Sequence, residues 1–402
     1  MSARGRQTPF ARLGAAEVTI LTASTILGAG FFALPWEQAS AAGGGLLFAV
    51  LLEAACGAAA VAAAAALAMR FPGRGFTDIA RALVGDGAGR ALALLVAALD
   101  LAVAAAVTIS VATVMSAVFL PLTPTWAVEV AFLLVVAYGA GVGIEALGRG
   151  LDILMPVVWL LMFADYAMIP GEVRMPWALV PHVPAVGGAG AIVAGAYAGI
   201  WAFSGITGVP NLAARLAAAD ESGAPTRIAW GYAIALVVRV SSIVADLLLL
   251  GIVGAVWYEW PSVAALRLVR SSTFFIDRTG SLTVVVVLAM VWAFVALRIW
   301  NATVNVRDAL GLSGQHGTAL ARRGGLAARL GGAEVSTALV GIVTVASLAG
   351  SHHVGQTAVD AVLDAPVLVL ALALPVGLWA VQRIRDGAWR RRRGAAPQPA
   401  RT

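Results

Sequence analysis

Apolar runs of about twenty residues recur along the whole chain, separated by short polar stretches. Ten are readable, at about residues 15–36, 44–69, 91–120, 125–147, 150–170, 187–214, 228–257, 280–308, 334–350 and 363–384. Each is long enough to cross a hydrocarbon core of about 30 Å as a helix, and a helix keeps its backbone groups paired there. The pattern predicts an all-α integral membrane protein with about ten transmembrane helices. It divides the chain into an N-terminal segment over 1–14, a single transmembrane domain over 15–386 and a tail over 387–402, with no room for a separate soluble domain.

Two of the runs are interrupted. The first carries Thr25-Ile26-Leu27-Gly28-Ala29-Gly30-Phe31-Phe32-Ala33-Leu34-Pro35, and the sixth Phe203-Ser204-Gly205-Ile206-Thr207-Gly208-Val209-Pro210. Glycine loosens a helix and proline removes a donor. Small residues at such positions also serve close helix packing, which remains an alternative for either segment. Breaks five spans apart point to a transporter-type site between two inverted repeats, here about 15–170 and 187–350, with a tenth helix at 363–384. In such a 5+5 (LeuT-type) arrangement, half-helix N-termini present free N–H groups to a carboxylate and unwound carbonyls face a cation. A zwitterionic amino acid satisfies both.

Composition agrees: 60% of residues are hydrophobic and 12% charged, with a mean hydropathy of +0.90, far from soluble averages. All 27 basic residues are arginine, and topology distributes them. Loops on one side, with both termini, hold 21 arginines, while the opposite loops hold four, Arg174, Arg267, Arg270 and Arg278. The positive-inside rule then predicts that both termini are cytoplasmic, which requires an even number of spans. The first span lacks a small-residue cleavage site and reads as a retained helix. The tail tetrad Arg390–Arg393 is expected to be disordered and to attract anionic membrane lipid, with no nucleic-acid role. Cys56 is the only cysteine, so no intrachain disulfide or cysteine-rich metal site is possible.

Glu53, Asp100, Asp165, Arg239, Asp246 and Arg298 fall inside spans, where ionisable residues are costly and mark function or buried pairing. Asp100, Asp165, Arg239 and Arg298 are the candidates for charge coupling. Arg239 and Arg298 could equally pair with acids on neighbouring helices and fix packing. Arg298 lies in span eight, where a guanidinium could stand in for a bound sodium ion, its charge fixed at any pH. His352-His353 lacks the spaced partners a metal needs, and no triad or carboxylate pair suggests an enzyme, nor any sequence a cofactor. Residues 76–84 predict a short amphipathic helix. Residues 259–279 suit a helix at the opposite surface, lying in the interface or packed on the bundle.

Several landmarks resemble the B subunits of spore germinant receptors, members of the amino acid–polyamine–organocation superfamily. These are Phe71-Pro72-Gly73, Leu122-Thr123-Pro124-Thr125-Trp126, and Gly143-Ile144-Glu145-Ala146-Leu147-Gly148-Arg149, likened to a short basic turn, followed by Ile153-Leu154-Met155-Pro156. Trp260-Pro261-Ser262, with Leu266, Val269-Arg270 and Phe275-Ile276-Asp277-Arg278, resembles the family's outer loop. The landmarks cover about residues 10–312; spans nine and ten match in layout only. The chain departs from the family pattern at the Phe203–Gly208 break and in span eight, where the usual lysine aligns with Phe294 and Arg298 lies one turn on.

The resemblance implies a sensor in the cell membrane or spore inner membrane that signals to A- and C-type receptor subunits. It implies a small-molecule germinant, an amino acid by preference, at the span one/six break. The backbone of Gly28, Ala29 and Gly30, flanked by Thr25 and Phe31, would take the carboxylate. Phe203, Ser204, Gly205 and Thr207, with Gly208, would line the side-chain pocket. A free-standing amino acid permease coupled to protons through Asp100 or Asp165 is the alternative, since the fold would be the same.

Overall fold

The structure, a computed structural model, describes residues 13–27, 34–141, 143–168, 173, 175–181, 184, 186–216, 223–258, 260–268, 279–312, 332–353, 363 and 365–394. The described residues are helical, apart from turns and one isolated bridge between Leu13 and Leu216. α1 (Ala15–Leu27) lies in the first run, and α2 (Leu34–Ala42) begins at its end and continues through Gly43–Gly45 into the next helix, one helical stretch over Pro35–Arg70. Pro35 does not break it. It sits in the first turn of α2, where its missing N–H had no helical partner to lose.

α3 (Leu46–Arg70), α5 (Asp86–Val114) and α10 (Ala224–Trp257) are long apolar helices; α6 (Thr125–Gly141) and α7 (Ile144–Met168) follow one another with a bend of 114°. Helix six is α8 (Gly188–Ala198), a tightly wound stretch over Ile200–Gly208, and α9 (Val209–Ala213). α12 (Thr279–Ala309), α13 (Gly332–His353) and α14 (Leu374–Gly394) complete the bundle. Five of the described helices are by themselves long and apolar enough to cross a membrane, and two bent pairs and two shorter apolar helices add to them. With the α6 and α7 legs counted separately, the described segments number ten.

Alanine lets these helices approach closely: Ala93, Ala97, Ala104, Ala105, Ala106 and Ala112 are all buried on α5. α12 packs chiefly on α5, and α1 on α10. α4 (Phe76–Val84) forms where the amphipathic stretch was expected, burying Phe76, Ile79, Ala80 and Leu83 at helical spacing. It lies at the arginine-rich end of the bundle.

Two local expectations change, and one open choice is decided. Ile144–Arg149 is the opening of α7 rather than a turn. The helix α11 (Pro261–Leu268) packs on the bundle, with Ser262, Val263 and Ala265 buried; residues 269–278 lie outside the described part. α14 continues to Gly394, into the segment expected to be disordered, since arginine is a good helix former and no proline intervenes before Pro397.

Candidate functional site

Helix six bends by 43° between its arms. All nine residues of the Ile200–Gly208 stretch are buried, so its altered backbone faces protein, as the membrane requires. Two glycines fix its path. A Cβ on Gly199 would fall on the Glu53 carboxylate and the Gln38 carboxamide. A Cβ on Gly205 would meet the carbonyl oxygen and Cβ of Thr25, so helix six crosses the end of α1 where a side chain is missing. The alternative reading of small residues as packing devices therefore holds at Gly205, within a stretch that is also a true break.

Two buried ion pairs meet helix six, one just before the break and one at its middle. Toward α8, Arg239 of α10 donates from Nε to Glu53 Oε1 of α3 at 2.6 Å, and from Nη2 to Gln38 Oε1 of α2 at 2.9 Å. Gln38 in turn donates to Glu53 and, at 3.2 Å, to the carbonyl of Gly195 in α8. Four elements meet in that cluster. Toward α9, Arg298 of α12 donates from Nη1 to Asp100 Oδ1 of α5 at 2.8 Å and to the carbonyl of Ser204 at 2.6 Å, and from Nη2 to the Ser204 hydroxyl. Its guanidinium lies 4.6 Å from the centre of the Phe294 ring, one turn back. Asn301 donates to Asp100 Oδ2 at 2.7 Å, so both carboxylate oxygens are engaged.

A ladder of amides continues from there. Asn211 of α9 donates to Asn301 at 2.6 Å and to Asn305 at 3.0 Å, and its own oxygen accepts from the backbone N–H of Phe76 at 2.7 Å. That N–H belongs to the first turn of α4, which has no helical acceptor. Helix six is thus bonded directly to the helix at the arginine-rich end.

The expected site residues fall into separate groups. Ser204, Asp100 and Arg298 come together, as do Thr25 and Gly205. Arg239 belongs to the other cluster. Phe203 packs its ring on Gly57 and lies 6.0 Å from the Tyr232 ring. Gly208 faces the Asn301 amide. Thr25 donates its hydroxyl to the carbonyl of Thr22 at 2.7 Å. Gly28, Ala29, Gly30 and Phe31 lie outside the described residues, as does the side chain of Asp165. Thr22, Ser24 and Thr207 carry buried hydroxyls that no described residue engages, as does the Nε of Arg298. Such groups call for a water or ligand partner.

The sequence reading missed Gln38, Asn211, Asn301 and Asn305. Spacing carried part of the signal: 298, 301 and 305 share one face of α12. Arg239 and Arg298 both pair with an acid on a neighbouring helix, the packing alternative kept open for them.

The fold is shared with solved transporters. MhsT in complex with L-phenylalanine superposes with a TM-score of 0.62 at 13% identity, over 91% of this chain and 88% of that one. Mhp1, a nucleobase-cation-symport-1 family transporter in a closed conformation with bromovinylhydantoin bound, gives 0.57 at 13% identity, over 92% and 80%. The manganese transporter of Eremococcus coleocola, in complex with an aromatic bis-isothiourea compound, gives 0.53 at 14% identity, over 90% and 78%. This likeness shows the LeuT-type fold. No curated protein matches the chain in sequence. A family model described as spore germination protein matches residues 12–321, about three quarters of the length, and the chain belongs to that family.

Proposed function

We propose that the chain is the germinant-sensing membrane subunit of a spore germination receptor, binding a small molecule at the break between helices one and six. The observation that carries this reading is the break itself, a buried non-α stretch crossing α1 at Gly205 with unpartnered hydroxyls on both elements. An amino acid fits best: its carboxylate suits the backbone of Gly28, Ala29 and Gly30, and its side chain the surface of Phe203, Ser204, Gly205, Thr207 and Gly208. MhsT, which shares the fold, is complexed with an amino acid. Arg298 supplies a fixed positive charge where a coupling ion would otherwise sit. Both termini face the cytoplasm, in the cell membrane or spore inner membrane, and the binding event passes to A- and C-type partner subunits.

The transporters among the structural neighbours favour a second reading, a free-standing proton-coupled amino acid permease. Asp100 is a poor carrier for it, since both carboxylate oxygens are bonded, which leaves Asp165. Purified protein screened against amino acids by thermal shift tests the binding. A specific shift lost in Gly205→Leu protein that still folds supports a ligand at the break; no shift with any amino acid, alone or with the partner subunits, overturns it. Net uptake into proteoliposomes separates the two readings.

A further inference from the structure

At the arginine-rich end, α3 and α14 part to leave a groove of about 420 Å³. Arg70 and Met69 form one wall, and Trp379, Gln382, Arg383 and Asp386 the other. Its depth follows from the apolar runs that end there: α3 stops at Arg70, and the apolar stretch of helix ten runs from Ala365 to Asp386. The groove therefore sits where hydrocarbon gives way to headgroups. Arg383 lies over the Trp379 ring at 5.2 Å, an amphipathic pair suited to that level. Arg70 meets Asp386 at 3.3 Å, with more than half of its side chain exposed. Two arginines against one carboxylate leave the groove net positive. Met69 in its wall is 56% exposed, an apolar surface that an acyl chain would cover. Arg385 turns the other way, donating to the carbonyls of Ala82 and Leu83 at 2.8 and 3.1 Å, so α14 is pinned to α4 and its wall of the groove is held in place.

We propose that this groove binds the headgroup of an anionic phospholipid, with its phosphate between Arg70 and Arg383 and headgroup hydroxyls donating to Asp386. Basic recesses between helix ends at a membrane surface suit such lipids. Phosphatidylglycerol carries both the phosphate and the hydroxyls. The proposal stands apart from the ligand at the break, because none of its residues belongs to that site.

The test uses the full chain in phosphatidylcholine nanodiscs with and without phosphatidylglycerol, read by native mass spectrometry and thermal unfolding. The expected result is a retained phosphatidylglycerol and a raised unfolding midpoint. Affinity should fall about fivefold for each arginine removed in R383Q and R70Q/R383Q, the factor matching about 1 kcal/mol per charge near an anionic surface. R383Q leaves the Arg70–Asp386 pair intact and guards against simple misfolding. R390Q/R391Q/R392Q/R393Q should keep the retained lipid. Three results overturn the proposal: R70Q/R383Q retaining lipid as well as the unaltered chain, the tail variant losing it, or glycerol phosphate in phosphatidylcholine discs producing the same shift, which would make this a site for free anions.

Discussion

Replacing Arg298 by glutamine tests whether the break is held by charge. Two unit charges at the observed 2.8 Å attract by about 6 kcal/mol at an effective dielectric of about 20, and desolvation offsets most of that. The measurable quantity is an asymmetry. Removing one member of a buried pair costs about 3–5 kcal/mol, because the other charge is stranded. In Arg298→Gln protein, Asp100 would keep only the Asn301 amide, and the Ser204 carbonyl would lose its donor. Asp100→Asn strands the guanidinium instead. The double variant Asp100→Asn/Arg298→Gln leaves two neutral, hydrogen-bonding groups of similar size. It should recover more than half of the summed loss, a coupling of at least about 3 kcal/mol.

The assay is equilibrium unfolding of the four proteins in one detergent, with ligand affinity measured beside it. Additive losses would refute the reasoning, and so would an Arg298→Gln protein with unchanged stability and affinity. Affinity then assigns the role. A double variant that is stable but does not bind places the charge in the ligand site; one that is stable and binds leaves Arg298 as a tie between α5, helix six and α12.

Three further outcomes are expected. Gly205→Ala should lower stability by about 1–3 kcal/mol through overpacking against Thr25, and should weaken ligand binding by more than Gly208→Ala does; equal effects in thermal-shift titrations would count against a crossing at Gly205. Asn211→Ala should leave the Phe76 N–H without its acceptor, speeding amide hydrogen exchange over 76–80 while exchange in α6 stays unchanged. Asp246→Ala removes the acceptor of the buried Ser262 hydroxyl, 2.8 Å away, and should raise exchange over α11 without altering unfolding of the bundle core.

The spans were legible because hydrophobic length alone decides them, and α4 was legible because its apolar positions repeat at helical spacing. The helix-six break was legible in kind but not in extent. Glycine and proline mark where a helix can loosen, yet Pro35 became part of a first turn, and the tight stretch of helix six begins at Ile200, before any proline. Pairing was the least legible. Nothing in a single sequence says that Arg239 reaches Glu53 rather than Asp246, two turns along its own helix, because that choice depends on how α3 and α10 lie together. Arg298 shows what side-chain direction adds. Helical side chains lean toward the N-terminus, so a guanidinium rooted at 298 rests over Phe294.

Helix six is held from both sides, at Gly195 and Gly199 by the Gln38–Glu53–Arg239 cluster and at Ser204 by Arg298. A ligand changes such an element only through differential affinity for its two arrangements, and a near-complete switch needs about 5.5 kcal/mol of it. The unpartnered hydroxyls and the Arg298 Nε are groups a polar ligand can engage without first displacing a protein partner. Any displacement of α9 would be felt by the Asn211 amide, and so by the first turn of α4. A sensor requires only that these bonds be traded on ligand addition. A permease requires that the same helix also open the site alternately to both sides of the membrane. Ligand-dependent exchange at residues 76–80 with no net uptake would therefore mark the sensor. The same change accompanied by uptake in proteoliposomes would mark the permease, and uptake with no change at α4 would refute the coupling through Asn211.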